Sequence, residues 1–134
     1  MARKSKNNVT QLLGSVRIIG GQWRGRKLPV HTSDGLRPTG DRVRETLFNW
    51  LNADLYNARC LDLFAGSGAL GFEALSHGAS QVTMLELEPT VAKQLAANKQ
   101  LLNSDNADIE NIDSLKWLSQ YQGDALPISF GMKP

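Results

Sequence analysis

A glycine-rich turn places the strongest constraint on how this chain can fold. Residues 60–64 read Cys-Leu-Asp-Leu-Phe, a short apolar strand, and residues 65–71 read Ala-Gly-Ser-Gly-Ala-Leu-Gly. Glycines spaced Gly-x-Gly-x-x-Gly between a strand and a helix let the backbone approach a ligand at the helix N-terminus. Dinucleotide enzymes and methyltransferases share this spacing, and a tight strand-to-helix turn needs no ligand at all. The pattern predicts an α/β unit and leaves the ligand open.

Strands and helices alternate after the turn. The predicted helices cover residues 69–76, a segment that begins at Pro89, and residues 114–121. The predicted strands cover residues 82–86 and 107–112. This order favours right-handed crossovers and a parallel sheet.

The segment before the turn has a different organisation. Two strands, over residues 16–19 and 23–30, flank Gly20-Gly21 and predict a β-hairpin. Pro38 and Thr39 are predicted to open a helix. The apolar residues expected to share one face of that helix are Val43, Leu47, Trp50 and Leu51.

The composition favours a globular protein without a membrane span, a disulfide framework or a metal site. A chain of 134 residues with 41% hydrophobic and 21% charged residues fits one globular domain. It has neither an apolar run long enough for a membrane span nor a secretory signal pattern, so a cytoplasmic location is expected. The single cysteine, Cys60, excludes an internal disulfide and is interpreted as an inert core thiol. No metal site is expected, and His31 and His77, without acidic or cysteine partners at ligand spacing, are predicted to lie at the surface or at a helix cap.

Charge is divided unevenly along the chain. Residues 1–44 carry ten Lys and Arg but two acids, which leaves five basic and eleven acidic residues for the rest. A basic arm on an acidic body suggests that one end meets a polyanion, although basic tails also serve only solubility.

Asp62 helps to choose between ligands for the glycine turn. It precedes Gly66 by four residues, and no Lys or Arg lies between Arg59 and Lys93. A carboxylate there would repel a dinucleotide pyrophosphate, whereas it would attract the sulfonium and ammonium groups of S-adenosylmethionine. The electrostatics favour the sulfonium cofactor over a nicotinamide dinucleotide.

Two further acids follow the next predicted strands. Glu86, 20 residues after Gly66, could accept hydrogen bonds from ribose hydroxyls, or could simply be an exposed strand end. Asp113 could accept a hydrogen bond from the adenine amine, cap the helix at residues 114–121, or do both.

Three stretches, in order, carry a family resemblance: residues 17–28 (RIIGGQWRGRKL), 35–51 (GLRPTGDRVRETLFNWL) and 61–71 (LDLFAGSGALG). Together they resemble the bacterial RsmD family, small-subunit ribosomal RNA guanine-N2 methyltransferases that use S-adenosylmethionine. The resemblance implies a Rossmann-like class I methyltransferase sheet, of which the chain holds the N-terminal half, behind a small β-hairpin extension. The implied substrate is 16S ribosomal RNA or a small-subunit assembly particle, without a membrane or a metal.

The residues and the resemblance together predict a domain layout. Residues 1–14 would form a flexible basic arm, residues 15–52 an RNA-binding hairpin and helix, residues 53–122 the first half of the methyltransferase domain, and residues 123–134 an atypical tail.

Site residues follow from the same resemblance. The implied cofactor-binding residues are Thr39, Asp62, Phe64, Ala65, Gly66, Ser67, Gly68, Glu86 and Asp113. The implied RNA-binding residues are Arg17, Trp23, Arg24, Arg26, Lys27, Arg37 and Arg42. Three alternatives stay open: Trp23 packs the hairpin onto the body, Thr39 only starts a helix, and at most one of Arg42 and Arg44 faces a groove.

The chain departs from the family pattern at its end. The family's catalytic turn, Asn/Asp-Pro-Pro-Phe/Tyr after the fourth strand, is absent, because the sequence contains no Pro-Pro. No catalytic residue is therefore assigned, no fourth strand is expected, and residues 61–64 are predicted to leave an unpaired apolar edge. One hypothesis is that the frame is truncated and its tail foreign, since a common sequencing adapter can encode Ala-Leu-Pro-Ile at residues 125–128. The alternatives are a non-catalytic fragment that binds RNA or cofactor, and an amino-methyltransferase that acts on DNA.

Overall fold

The structure, a computed structural model, describes residues 14–31, 40–122 and 128–130. The segments 1–13, 32–39, 123–127 and 131–134 lie outside this description, and with them the predicted site residues Arg37 and Thr39.

A two-stranded antiparallel hairpin forms the N-terminal unit. Strand β1 (Gly14–Arg17) pairs with β2 (Lys27–Val30), with Val16 opposite Leu28. The hairpin was predicted, but its second strand was expected to begin at Trp23. A 3-10 turn over Gly21–Trp23 occupies that place, and Gly21 adopts φ +82°, which suits a residue without Cβ.

Four parallel strands form the main sheet. They are β3 (Arg59–Asp62), β4 (Gln81–Leu85), β5 (Ala107–Glu110) and β6 (Ile128–Phe130), in the spatial order β5-β4-β3-β6. In the described part of the chain four helices accompany them: α1 (Asp41–Leu55), α2 (Ala69–Ser76), α3 (Pro89–Leu101) and α4 (Ser114–Gln120). The α/β architecture with a parallel sheet is the predicted one, and the predicted elements agree with the observed ones to within two residues at most ends.

Strand β6 corrects one prediction. Residues 61–64 were expected to have an unpaired edge, but β6 pairs with β3 in parallel, with Cys60 opposite Ile128 and Asp62 opposite Phe130. The backbone N–H of Leu63 extends the pairing by donating to the carbonyl of Phe130 at 2.8 Å. The reason is the alternation Ile-Ser-Phe, which turns Phe130 into the core, where its ring lies 5.8 Å from that of Phe48.

The buried face of α1 also differs from the prediction. Val43 and Trp50, expected to face the core, are 60% and 79% exposed. The residues that α1 buries are Arg44, Phe48 and Leu55. The apolar face was assigned by hydrophobicity alone, and the buried Arg44 was therefore missed.

A buried acid joins the hairpin to the sheet domain. Glu73 of α2, only 1% exposed, accepts hydrogen bonds from the backbone N–H groups of Ile19 and Gly20 at 3.0 Å each. It also pairs with Arg44 at 3.0 Å and lies 2.9 Å from Nε2 of His77. His77 at the end of α2 thus has an acidic partner four residues away, contrary to expectation, and it stacks on Phe48 at a centroid distance of 5.3 Å.

Burial disfavours the ionised form of Glu73, and the hydrogen-bond donors around its carboxylate more than offset that effect. Desolvation raises the pKa of Glu73, but the hydrogen bond from His77 and those from Ile19 and Gly20 lower it below its ordinary value. The carboxylate therefore remains ionised in the core, where it links α1, α2 and the hairpin.

Within the described ranges, no helix is both long and apolar enough to cross a membrane.

A candidate cofactor site at the carboxyl edge of the sheet

The glycine turn lies where β3 ends and α2 begins, at the carboxyl edge of the parallel sheet. Gly66 and Gly68 adopt φ +53° and +81°, a region that side-chain-bearing residues rarely enter. A Cβ on Gly68 would lie 2.7 Å from Leu95 and Phe72, and a Cβ on Gly71 would lie 2.7 Å from Met84. A Cβ on Gly66 would meet only the carbonyl of Phe64, at 4.0 Å. The second and third glycines therefore serve packing, and the first leaves open space above the turn.

Asp62, at the end of β3, lies beneath this turn. It is 2% exposed, and desolvation raises its pKa to about 7; the Glu86 carboxylate adds to the rise, while backbone hydrogen bonds from Phe64 and Gly71 oppose it. A buried acid without a cationic partner in the described chain is costly, and a bound positive charge would relieve that cost.

Glu86, at the end of β4, reaches across to the glycine turn. One carboxylate oxygen accepts from the N–H of Gly66 at 2.9 Å, and the other accepts from the N–H of Glu88 at 3.0 Å. The side-chain amide of Asn111 donates to the carbonyls of Glu86 and Leu87 at 2.7 and 2.8 Å, which fixes this loop. The structure thus brings together Asp62, the glycines and Glu86, and their role in cofactor binding stays a prediction.

The remaining predicted cofactor residues in the described chain have defined local roles. Asp113 caps α4, since its carboxylate accepts from the N–H of Lys116 at 3.1 Å. Oγ of Ser67 accepts from the N–H of Ala69 at 3.2 Å. Ala65 is buried, and its N–H donates to Leu85 at 3.0 Å. Asp113 therefore caps α4, which is one of the two roles that the sequence left open, whether or not it also contacts a ligand.

Three exposed apolar side chains follow the same three strand ends. Phe64 comes after β3, Leu87 after β4 and Leu115 after β5, and they are 52%, 66% and 74% exposed. The sequence prediction included Phe64 but missed Leu87 and Leu115. The signal was present, because each lies within two residues of a predicted polar ligand, Glu86 or Asp113. Apolar surface beside carboxylates suits a ligand that has a flat ring and hydroxyl groups.

The predicted RNA-binding residues of the described chain lie on the hairpin and α1. Arg17 pairs with Asp41 at 3.2 Å, and Arg26 donates to the carbonyl of Leu101 at 3.0 Å. Trp23 is half-buried against the core, and its N–H donates to Oγ of Ser76 at 2.9 Å. Arg24, Lys27 and Arg42 are exposed.

The hairpin turn and the glycine turn lie at opposite ends of α2. Trp23 contacts Ser76, the last residue of α2, whereas Gly68 precedes its first residue. Eight helical residues span about 12 Å. The structure therefore does not bring Trp23 into the candidate cofactor site.

Comparison with known proteins agrees with this architecture. A family model described as "Conserved hypothetical protein 95" matches residues 16–127. A relative named ribosomal RNA small subunit methyltransferase D, from Haemophilus influenzae, is 61% identical over 111 residues. The chain belongs to the RsmD family.

Other members of the family support the same assignment. The Escherichia coli K12 protein of the same name is 57% identical over 107 residues. The match to the Haemophilus protein covers 81% of this chain and 58% of the relative, and the match to the Escherichia coli protein covers 80% and 54%. The chain thus spans a little more than half the length of these relatives.

A solved structure from Escherichia coli confirms the methyltransferase fold. It superposes with a TM-score of 0.74 at 53% identity, over 80% of this chain and 57% of that one. The Rossmann-like sheet predicted from the resemblance is therefore the fold of this chain.

Proposed function

We propose that the chain binds S-adenosylmethionine at the carboxyl edge of the sheet. The observation that carries the proposal is the buried carboxyl of Asp62 beside the open space over Gly66. The ligand's ammonium and sulfonium groups supply the positive charge that Asp62 lacks. Glu86 is suited to the ribose hydroxyls, and Leu87 and Leu115 to the faces of the adenine ring. When bound, the cofactor would supply an electrophilic methyl group.

The reaction that we propose is methylation of the exocyclic N2 of a guanine in 16S ribosomal RNA, in the cytoplasm. Support comes from the family and from the names of the relatives, which specify the small-subunit ribosomal RNA. The exposed cations on the hairpin and α1 are proposed to contact RNA phosphates. The cations with described positions are Arg17, Arg24, Arg26, Lys27 and Arg42.

We propose further that residues 1–134 by themselves do not transfer a methyl group. The family's catalytic turn orients the amine for in-line attack on the methyl group and stacks on the base, and that turn is absent from this sequence. The chain would then hold cofactor and RNA without the group that positions the reacting nitrogen.

Ligand binding tests the cofactor assignment. We expect S-adenosylhomocysteine, but not NAD, to raise the melting temperature of the chain. Gly66→Ala would place a methyl group in the open space over the turn and weaken this binding. Gly25→Ala is the matched control, because Gly25 also has a positive φ, +84°, and an open environment, but lies in the hairpin turn. A shift with NAD, or equal losses in both variants, would contradict the proposal.

Methyl incorporation tests the activity. With labelled S-adenosylmethionine and 16S ribosomal RNA or small-subunit particles, the Escherichia coli relative serves as the positive control, and the modified nucleoside is identified by mass spectrometry. We expect no incorporation with residues 1–134. Incorporation by this chain would refute the inactivity. In a parallel assay with DNA, methylation of DNA but not of RNA would overturn the proposed substrate.

A further inference from the structure

A second cavity lies at the opposite edge of the sheet from the candidate cofactor site. It has a volume of about 530 Å³, within the range of about 300–1,000 Å³ that small-ligand sites occupy. The hairpin turn and the ends of α1 and α3 surround it. Its polar and aromatic lining includes Gln22, Trp23, Asn57, Asn103, Asp105 and Asn106. We propose that this cavity binds an unpaired nucleobase of the RNA substrate, an inference that rests on the proposed function.

Trp23 provides a flat, fixed wall. Its side chain packs against the core beside the cavity, and its backbone is held by the hydrogen bond to Ser76. A half-buried indole whose position is fixed before binding loses little freedom when a ring stacks on it. Aromatic side chains are the usual platforms for unpaired RNA bases.

Two asparagines provide hydrogen-bonding groups that the fold itself does not use. Asn57 and Asn103 follow the ends of α1 and α3 with φ +62° and +56°, the left-handed position where glycine is most common. Within the described residues neither side-chain amide has a hydrogen-bond partner. Glycine could adopt the same left-handed backbone conformation at both positions, so the fold does not require these amides. They are available as donors and acceptors for a base edge.

The charges of the cavity favour a base over a phosphate. Neither Lys nor Arg lines it among the described residues, and the carboxylate of Asp105 does. An anionic phosphate would be repelled, whereas an exocyclic amine could donate to Asp105. One cation lies next to the cavity: Arg26 is bonded to the carbonyl of Leu101, the neighbour of the lining residue Leu102. A phosphate beside an inserted base could contact this arginine.

The position of the cavity separates its role from that of the methylated base. It lies at the far end of α2 from the glycine turn, a helix of about 12 Å. A nucleobase bound here is therefore not the one that receives the methyl group. It would anchor a neighbouring part of the RNA and set its register on the protein.

Binding of a labelled single-stranded RNA to residues 1–134, followed by fluorescence anisotropy, tests the proposal. The double variant Asn57→Gly/Asn103→Gly removes both amides and retains the left-handed backbone, so the fold is expected to persist. We expect it to weaken RNA binding about fivefold or more, as the loss of two or more hydrogen bonds predicts. Gln120→Ala, which removes an exposed amide from α4, is the matched control and should leave the affinity unchanged.

An RNA of the same length with abasic riboses separates base from phosphate contacts. The double variant and the wild type should bind it equally, and both should bind S-adenosylhomocysteine equally. If the double variant binds the normal RNA as the wild type does, the cavity proposal is wrong and the proposed function stands. If the wild type binds no RNA while it still binds S-adenosylhomocysteine, the RNA part of the proposed function is wrong, and this inference with it.

Discussion

At the scale of single residues, the role proposed for Asp62 would make cofactor binding depend on pH. Its pKa of about 7 means that about a tenth of the carboxyl is ionised at pH 6 and about nine-tenths at pH 8. S-adenosylhomocysteine lacks the sulfonium, but its ammonium group prefers the ionised carboxyl, so the affinity for this ligand should rise about tenfold over this interval. Calorimetric titration at both pH values measures it. Asp62→Asn should bind weakly and lack this pH dependence; the same dependence in both proteins would assign the titration to another group.

The raised pKa of Asp62 also affects the free energy of unfolding, which should fall as the pH rises, whereas the affinity for the ligand should increase. Because burial raises the pKa of Asp62 above its unfolded value of 3.8, its contribution is fully present below that pH and is lost as the pH rises to about 7. Between these values the free energy of unfolding of the wild type should fall relative to that of Asp62→Asn.

Two neighbouring arginines of α1 differ in energetic role. Arg44→Met would leave the buried carboxylate of Glu73 without its arginine partner, and we expect a loss of about 3–5 kcal/mol in the free energy of unfolding. Arg42→Met removes an exposed charge and should change it by less than about 0.5 kcal/mol. Urea unfolding of the two variants measures the difference, and similar effects would show that the buried pair does not support the fold.

The sequence predicted the placement of polar residues along the sheet better than it predicted burial. The carboxylates and glycines of the candidate cofactor site follow strand ends, and strand ends are visible from patterning, so the proximity of Glu86 to Gly66 could be expected, while the contact of these residues with a cofactor stays a prediction. The pair of Glu73 and His77 also shows a visible four-residue spacing. Its importance depends on the hairpin packing over α2, a contact between residues more than fifty positions apart, and no local pattern reports that.

At the scale of elements, β6 stabilises the centre of the sheet. Phe130→Ala would remove a buried ring that packs on Phe48 and should lower the free energy of unfolding by about 3–5 kcal/mol. Trp50→Ala removes a larger but exposed side chain and is expected to cost less than about 0.5 kcal/mol. Thermal or urea unfolding compares them. A negligible effect of Phe130→Ala would mean that β6 contributes little to the folded chain in solution.

Elements with strong periodicity were predictable and the short or mixed ones were not. Strands β3 and β4 and helices α2 to α4 follow apolar patterns, β5 follows a weaker one, and the order of these elements predicts a parallel sheet. Strand β6 has only three residues, too few for a periodic signal. The buried face of helix α1 includes Arg44, and a hydrophobic pattern predicts a surface position for an arginine.

At the scale of the whole molecule, the cationic N-terminal segment should make RNA binding strongly dependent on salt. Arg24 and Lys27 are exposed and form no ion pair within the described chain, whereas Arg17 is already paired with Asp41. We expect Arg24→Gln/Lys27→Gln to reduce the slope of log affinity against log salt by about 1.4, about 0.7 for each phosphate contact with a single strand. Arg17→Gln should reduce it by less. Filter binding over a salt series measures the slopes, and equal slopes in all proteins would remove these cations from the RNA interface.

The buried carboxylate of Glu73 ties the N-terminal hairpin to the rest of the protein. Four residues contact this carboxylate: Ile19, Gly20, Arg44 and His77. The hairpin therefore cannot separate from α2 without removing hydrogen bonds from a buried charge. A graft of the hairpin onto another methyltransferase sheet would therefore fail unless the recipient helix offered an acid at the equivalent depth, so in this chain the hairpin and α2 form one structural unit.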